Sequence, residues 1–197
     1  VKIFLDAGHG YQTPGKRTVD GMKEYEFNRD IAEKVKTLLK TYSSVQVSSV
    51  HSDKRDVPLK ERTALANKAS ADLYLSIHAN ASGNGKEWND VNGIETFVYL
   101  SKPTEATSLA QTIQNELIKA TERKNRGVKL ADFHVLRETK MTAILCECGF
   151  MTNKEEAALL KTPAYRQACA EAITKGITGF YKLKRKRRTK HGSSGCV

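Results

Sequence analysis

The chain contains no run approaching the roughly 18 consecutive apolar residues of a membrane-spanning helix, so an integral membrane protein of that kind is not expected. It opens on strand-like residues rather than on a charged segment followed by an apolar core, and no signal peptide is expected within it. Cysteine is scarce. Cys146, Cys148, Cys169 and Cys196 form no CxxC pair and no framework of the sort that staples small secreted domains. The first three read as buried free thiols. Internal repeats are absent, and low complexity is confined to the C-terminal residues. The body also lacks the interleaved aromatic and basic residues on which nucleic-acid bases stack, so no specific nucleic-acid partner is expected.

What is present suits one domain: 197 residues, 39% hydrophobic, enough for a substantial core but cramped for two. The net charge of +11 is unevenly placed. Lys182, Lys184, Arg185, Lys186, Arg187, Arg188 and Lys190 follow the last apolar helical position, and removing those seven charges leaves the body at +4. A like-charged run ending in Gly192-Ser193-Ser194-Gly195 has no apolar face to bury. Residues 1–181 are therefore read as the folded domain and 182–197 as a basic, disordered tail or linker, either merely solvated or attracted to a polyanion.

Strands and helices alternate along the body. Val1–Ala7 is strand-like and breaks at Gly8-His9-Gly10. Glu24–Tyr42 places Phe27, Ile31, Val35, Leu38 and Leu39 at helical spacing. Val45–Val50 alternates as a strand, Pro58 opens a second helix, and Leu73–Asn80 is an apolar strand ending in a histidine and an asparagine. Ile94–Leu100 is a further strand, Glu105–Thr121 a third helix followed by a basic loop, and Phe133–Arg137 a short strand candidate. Ala143–Phe150 is a strongly apolar strand. Asn153 with Glu156 forms a capping box, and Thr162-Pro163 opens the last helix. The sum is an α/β fold, a single domain with a mixed, mostly parallel sheet of about six strands flanked by helices.

Such sheets carry ligands at the C-terminal ends of their strands, where His9 and His78 both sit among small residues. His51 and His191 have no strong context and read as solvated; His134 is either a satisfied core histidine or part of a groove wall. Glu147 is anomalous, because a carboxylate inside an apolar strand is costly unless paired, metal-linked or protonated. Glu24 opens the first long helix after the loop that starts at His9. It is equally suited to complementing the helix dipole, and Glu26 and Asp30 are competing acids. A His, Glu, His set fits a hydrolytic zinc site, but HExxH is absent, so such a site has to be assembled from distant segments.

The ordered series Asp6-Ala7-Gly8-His9-Gly10, Gly21-Met22-Lys23-Glu24, Arg62 with Asn67, Ser76-Ile77-His78-Ala79-Asn80, Gly93-Ile94-Glu95-Thr96, Asn125–Lys129 and Cys146–Asn153 resembles the motifs of the zinc-dependent N-acetylmuramoyl-L-alanine amidases of the Amidase_3 type. The likeness covers residues 1 to 181. It implies a Zn2+ ion held by His9, Glu24 and His78, and Glu147 as the catalytic carboxylate. The implied reaction is hydrolysis of the amide between N-acetylmuramic acid and L-alanine of the peptidoglycan stem peptide. Asn80 and Arg126 fall in matching motifs and are candidate substrate contacts, although buried hydrogen-bonding roles suit them equally.

Bacterial wall autolysins and bacteriophage endolysins both use this domain. The implied place of action is accordingly the bacterial cell wall, reached outside the cell or, for an endolysin, from the host cytoplasm on release. Peptidoglycan is the implied partner, with anionic wall polymers a further one for the basic tail, and a monomer is expected. Two departures from the family pattern stand out: Ala7 replaces a common proline, and His51 lies where an arginine is common. The competing readings are a non-catalytic wall-binding module and a zinc peptidase or deacetylase acting on another bond of the same polymer.

Overall fold

Across residues 1–13 and 15–187, which the computed structural model describes, six strands and six helices alternate. They are β1 (Lys2–Ala7), α1 (Glu24–Leu39), β2 (Gln46–Ser49), α2 (Leu59–Lys68), β3 (Leu73–Asn80), β4 (Ile94–Val98), α3 (Thr104–Thr121), β5 (Asn125–Leu130), α4 (His134–Arg137), β6 (Thr142–Phe150), α5 (Lys154–Leu160) and α6 (Pro163–Phe180). The strands form one sheet in the order β2-β1-β3-β6-β4-β5. All neighbours are parallel except β4 and β6. The expected mixed, mostly parallel six-stranded sheet is thus what the chain forms.

Strand alternation divides the chemistry between the two faces. Ile3, Leu5, Leu73, Leu75, Ile77, Ile144, Cys146 and Cys148 turn to one side and pack on Phe27, Ile31 and Val35 of α1, on Leu109, Ile113 and Leu117 of α3, and on Ile173 and Ile177 of α6. The other side carries Tyr74, Ala143 and Leu145 beneath Ala66 of α2 and Val135 and Leu136 of α4. Cross-strand register places Asp6 beside Ser76 and His78 beside Glu147. These polar residues alternate with the apolar set, so they share the second face with Tyr74 and Leu145. One sheet therefore buries a continuous apolar layer on one face and gathers polar side chains on the other.

Two elements differ from the sequence expectation. Residues 125–130, read as a basic loop, are the edge strand β5, and Phe133–Arg137, read as a strand, is the cap and single turn of α4. Asn153 caps α5 by accepting from the Glu156 amide at 3.0 Å. The reciprocal half of the box is missing, because the Glu156 carboxylate accepts instead from the Gly93 and Phe150 amides. Cys146, Cys148 and Cys169 are buried free thiols, and burial pushes Cys146 up to about 12. The start of the stretch read as tail lies against the body. Leu183 packs on the core, Ser43 donates to the Lys184 carbonyl, and Lys186 donates to that of Thr41. Residues 188–197, with Cys196 and His191, lie outside the described residues.

Candidate metal centre and cleft

Three segments converge at the C-terminal ends of β1 and β3. The chain leaves β1 through Gly8, whose amide donates to the Ile77 carbonyl at 3.1 Å and holds the turn against β3. A Cβ at Gly8 would collide with the His78 imidazole, so only glycine lets the backbone run beneath that ring. His9 follows with φ of 70°, a left-handed conformation that is strained for a residue bearing a side chain. Glu24, the first residue of α1, is buried. One helical turn on, Asn28 donates to Glu24 Oε1 at 3.3 Å, and the Lys16 amide donates to Oε2 at 3.1 Å.

The two histidines divide this carboxylate between them. His78 Nδ1 lies 2.8 Å from Glu24 Oε1 and His9 Nε2 lies 3.1 Å from Oε2. The imidazoles stand edge to face, with centroids 5.3 Å apart, and one ligand atom from each of the three side chains lies within 4.8 Å of the others. Burial alone would raise the Glu24 carboxyl. The contacts with His78 and His9 outweigh it and hold the group well below the usual carboxylate range. Among the described residues no lysine or arginine forms an ion pair with Glu24. A buried carboxylate faced only by imidazole nitrogens and amide donors is a donor set suited to a borderline-soft cation such as Zn2+, and the three residues fit one.

Glu147 stands beside this cluster, paired in register with His78 on one side and with Glu95 on the other. Its Oε2 is buried with no hydrogen-bond partner among the described residues. Burial, with the negative charges of Glu24 and Glu95, pushes its carboxyl well above the usual range. Glu95 is itself saturated: Asn80 donates to Oε1 at 2.7 Å, while Arg126 and Lys129 bind Oε2. Burial raises Glu95, but Lys129 and Arg126 reverse that and leave it lowered.

The cluster opens into a cleft of about 690 Å³. His9, Glu24, His78, Asn80 and Glu147 line it, with Lys16 and Asp56 among its charged groups and Val57, Pro58, Leu59, Phe133, His134 and Val135 also in its lining. The structure thus brings His9, Glu24, His78 and Glu147 together. It sets Asn80 in the cleft, and ties Arg126 to Glu95 and the Asn92 carbonyl, with its guanidinium 5.0 Å from the centre of the Phe150 ring. His134 belongs to the groove wall, with Nε2 at 3.5 Å from the Thr63 hydroxyl.

His51 is a correction. Read as solvated, it has a side chain only 4% exposed, which accepts from the Ala7 amide through Nδ1 at 3.2 Å and has its pKa lowered by burial. It steadies the end of β1 two residues before His9. Reasoning from sequence also passed over Ser76, Asn28 and Lys16. Of these Asn28 carried a signal, being one helical turn from Glu24, and Ser76 another, being two positions before His78 on the same strand face.

A family model described as N-acetylmuramoyl-L-alanine amidase, Amidase_3, matches residues 3–179. The sporulation-specific N-acetylmuramoyl-L-alanine amidase of Bacillus subtilis (strain 168) is 36% identical over 186 residues, which are 94% of this chain and 70% of that protein. The endolysin of Bacillus phage SPP1 is 36% identical over 189 residues, covering 93% of this chain and 67% of the endolysin. Among solved structures, the N-acetylmuramoyl-L-alanine amidase from Clostridium difficile 630 superposes with a TM-score of 0.86 at 36% identity, covering 92% of this chain and 96% of that one. The motif series, the sheet order and these matches agree: the chain belongs to the Amidase_3 family of N-acetylmuramoyl-L-alanine amidases.

Proposed function

We propose that this chain is a zinc hydrolase that cuts the amide bond between the lactyl group of N-acetylmuramic acid and the L-alanine of the peptidoglycan stem peptide. The observation that carries this reading is the juxtaposition of a His9, Glu24, His78 donor set with an unpartnered, buried Glu147 oxygen in one open cleft. A zinc ion bound by the three residues supplies a Lewis acid that polarises the scissile carbonyl and brings the acidity of water close to neutral pH, to a pKa of about 7.

The remaining work falls to the chain. Glu147 moves the proton: its free Oε2 accepts one from the attacking water and returns it to the leaving amine nitrogen. Val57–Leu59 and Phe133–Val135 give the cleft apolar surface against which a sugar or a peptide can pack. Asn80 lines the cleft with its amide group held by Glu95 and the Ala81 amide, and Arg126 acts on the cleft through Glu95. The place of action is the bacterial cell wall, and the basic stretch beginning at Lys182 adds attraction to anionic wall polymers.

Mass spectrometry of the fragments released from purified peptidoglycan, with and without a zinc chelator, tests this. Stem peptides bearing a free N-terminal L-alanine are expected, lost on chelation and restored by zinc. A different new terminus would leave the metal site standing and make the chain a peptidase or deacetylase. Wall binding with no fragments would make it a binding module.

A further inference from the structure

The far side of the His78 ring faces a buried polar chain. Its Nε2 lies 3.1 Å from the Ser76 hydroxyl oxygen. Ser76 in turn donates to Asp6 Oδ2 at 2.9 Å, and Asp6 Oδ1 accepts from Arg62 Nη1 at 2.6 Å. Ser76, Asp6 and Arg62 are all at least 97% shielded from solvent. Register explains the alignment, because Asp6 and Ser76 are direct partners on adjacent parallel strands and His78 is two positions beyond Ser76 on the same face.

The direction of each hydrogen bond is fixed by the inventory of protons. Arg62 is always a donor and an ionised Asp6 only an acceptor. The single hydroxyl proton of Ser76 is committed to Asp6, so toward His78 its oxygen can only accept. His78 Nε2 must then carry hydrogen, which leaves Nδ1, the atom that faces Glu24, as the nitrogen that would give up its hydrogen to a metal ion. The same guanidinium reaches the other histidine. Arg62 donates to the Ala7 carbonyl at 2.8 Å and to the carbonyl of His9, and its Nε is anchored on the Val57 carbonyl. It thereby holds the backbone where His9 takes its left-handed conformation.

We propose that Ser76, Asp6 and Arg62 form a positioning relay that locks His78 in the Nε2–H tautomer, so that Nδ1 is the atom it presents to the metal ion. The relay rests on the reading that His9, Glu24 and His78 hold that ion. It adds what that reading lacks, a reason why both rings are set before metal arrives. Ligand histidines oriented by a hydrogen-bonded carboxylate are a general device. Here a serine is interposed, and the carboxylate is pinned by an arginine that also braces the second ligand.

The test uses the whole chain and Zn2+ in competition with a chromophoric chelator, comparing the wild type with Ser76→Ala, alongside nitrogen-15 NMR of the zinc-loaded histidines. The wild type should take up one Zn2+ per chain and show His78 protonated at Nε2. Ser76→Ala should bind Zn2+ about 10- to 100-fold more weakly, the usual cost of losing such a partner, while the metal-free variant still unfolds cooperatively, at a lower thermal midpoint because buried Asp6 loses a donor. Failure of the wild type to bind Zn2+ would overturn the site itself. Binding by the wild type with equal affinity in Ser76→Ala would overturn the relay. Should Ser76→Ala not fold, the wild-type spectrum decides: a His78 ring protonated at Nδ1 and metallated at Nε2 ends the proposal.

Discussion

A buried polar atom left without a partner costs on the order of 1–3 kcal/mol, and a charged one more, so the bare Oε2 of Glu147 is retained at the expense of stability. Glu147→Gln keeps the shape and removes the ionisable carboxyl group. Turnover on peptidoglycan should fall about 10²- to 10⁴-fold, the range for a lost general acid and base, while Zn2+ affinity stays within a few-fold. Assaying hydrolysis and chelator competition on one preparation checks both, and near-normal turnover would remove Glu147 from the chemistry. Gly8 makes the complementary case. Gly8→Ala pushes a methyl group into the His78 ring, so that ring has to turn from Glu24. Zn2+ affinity should drop by at least about tenfold, the lower bound for a disturbed ligand orientation, whereas Gly21→Ala, whose Cβ would meet nothing within 4 Å, should leave Zn2+ affinity unchanged despite its own positive φ.

Strands β6 and β4 are antiparallel neighbours, and that one pairing sets Glu95 against Glu147. Arg126 and Lys129 arrive on β5, so the cations that neutralise Glu95 depend on the edge strand being in place. With its pKa depressed in the fold, Glu95 contributes stability that is present above its unfolded value near 4.5 and is lost as pH falls through the lower folded value. The gap in thermal midpoint between wild type and Glu95→Gln should therefore be widest near neutral pH and shrink as the pH falls below 4.5. A gap that widens in acid would show that Glu95 is not held ionised by these partners. The same elements show what the sequence made legible. Strands β1, β3 and β6 and helices α1, α3 and α6 are apolar at the spacing of their own secondary structure, and their pattern is local. Strand β5 hid behind its charge, since half-exposed edge strands carry lysine and arginine. Helix α4 is four residues long, and its adjacent Val135 and Leu136 read equally well as strand. The site was less legible still. His78 meets Glu24 across 54 positions and Arg62 meets Asp6 across 56, separations that no periodicity reports. The resemblance gathered His9, Glu24, His78 and Glu147; the burial of the His51 side chain and the pairing of Ser76 with Asp6 follow from the packed fold.

At the scale of the molecule the two ends of the parallel strands differ in chemistry. Their C-terminal ends hold the cleft. At their N-terminal ends Val1 and Lys2 meet Tyr42, Gln46 and Lys186, and the stretch from Lys182 to Arg187 is exposed apart from half-buried Leu183. Arg185 is bridged to Tyr42, its guanidinium 5.6 Å from the centre of the ring. No acidic side chain pairs with Lys184 or Lys186 among the described residues. If this face attracts anionic wall polymers as proposed, it does so remote from His9, Glu24 and His78 and without obstructing the cleft, and the attraction is screened over about 8 Å at physiological salt. A Lys184→Glu, Lys186→Glu double variant should therefore release from intact walls at lower salt than the wild type, yet cleave soluble muramyl peptides at the same rate. Retention that is equal at every ionic strength would show that this face takes no part in wall binding. Slower cleavage of the soluble substrate would mean instead that the charge reversal had disturbed the fold through the contacts of Lys184 and Lys186 with Ser43 and Thr41.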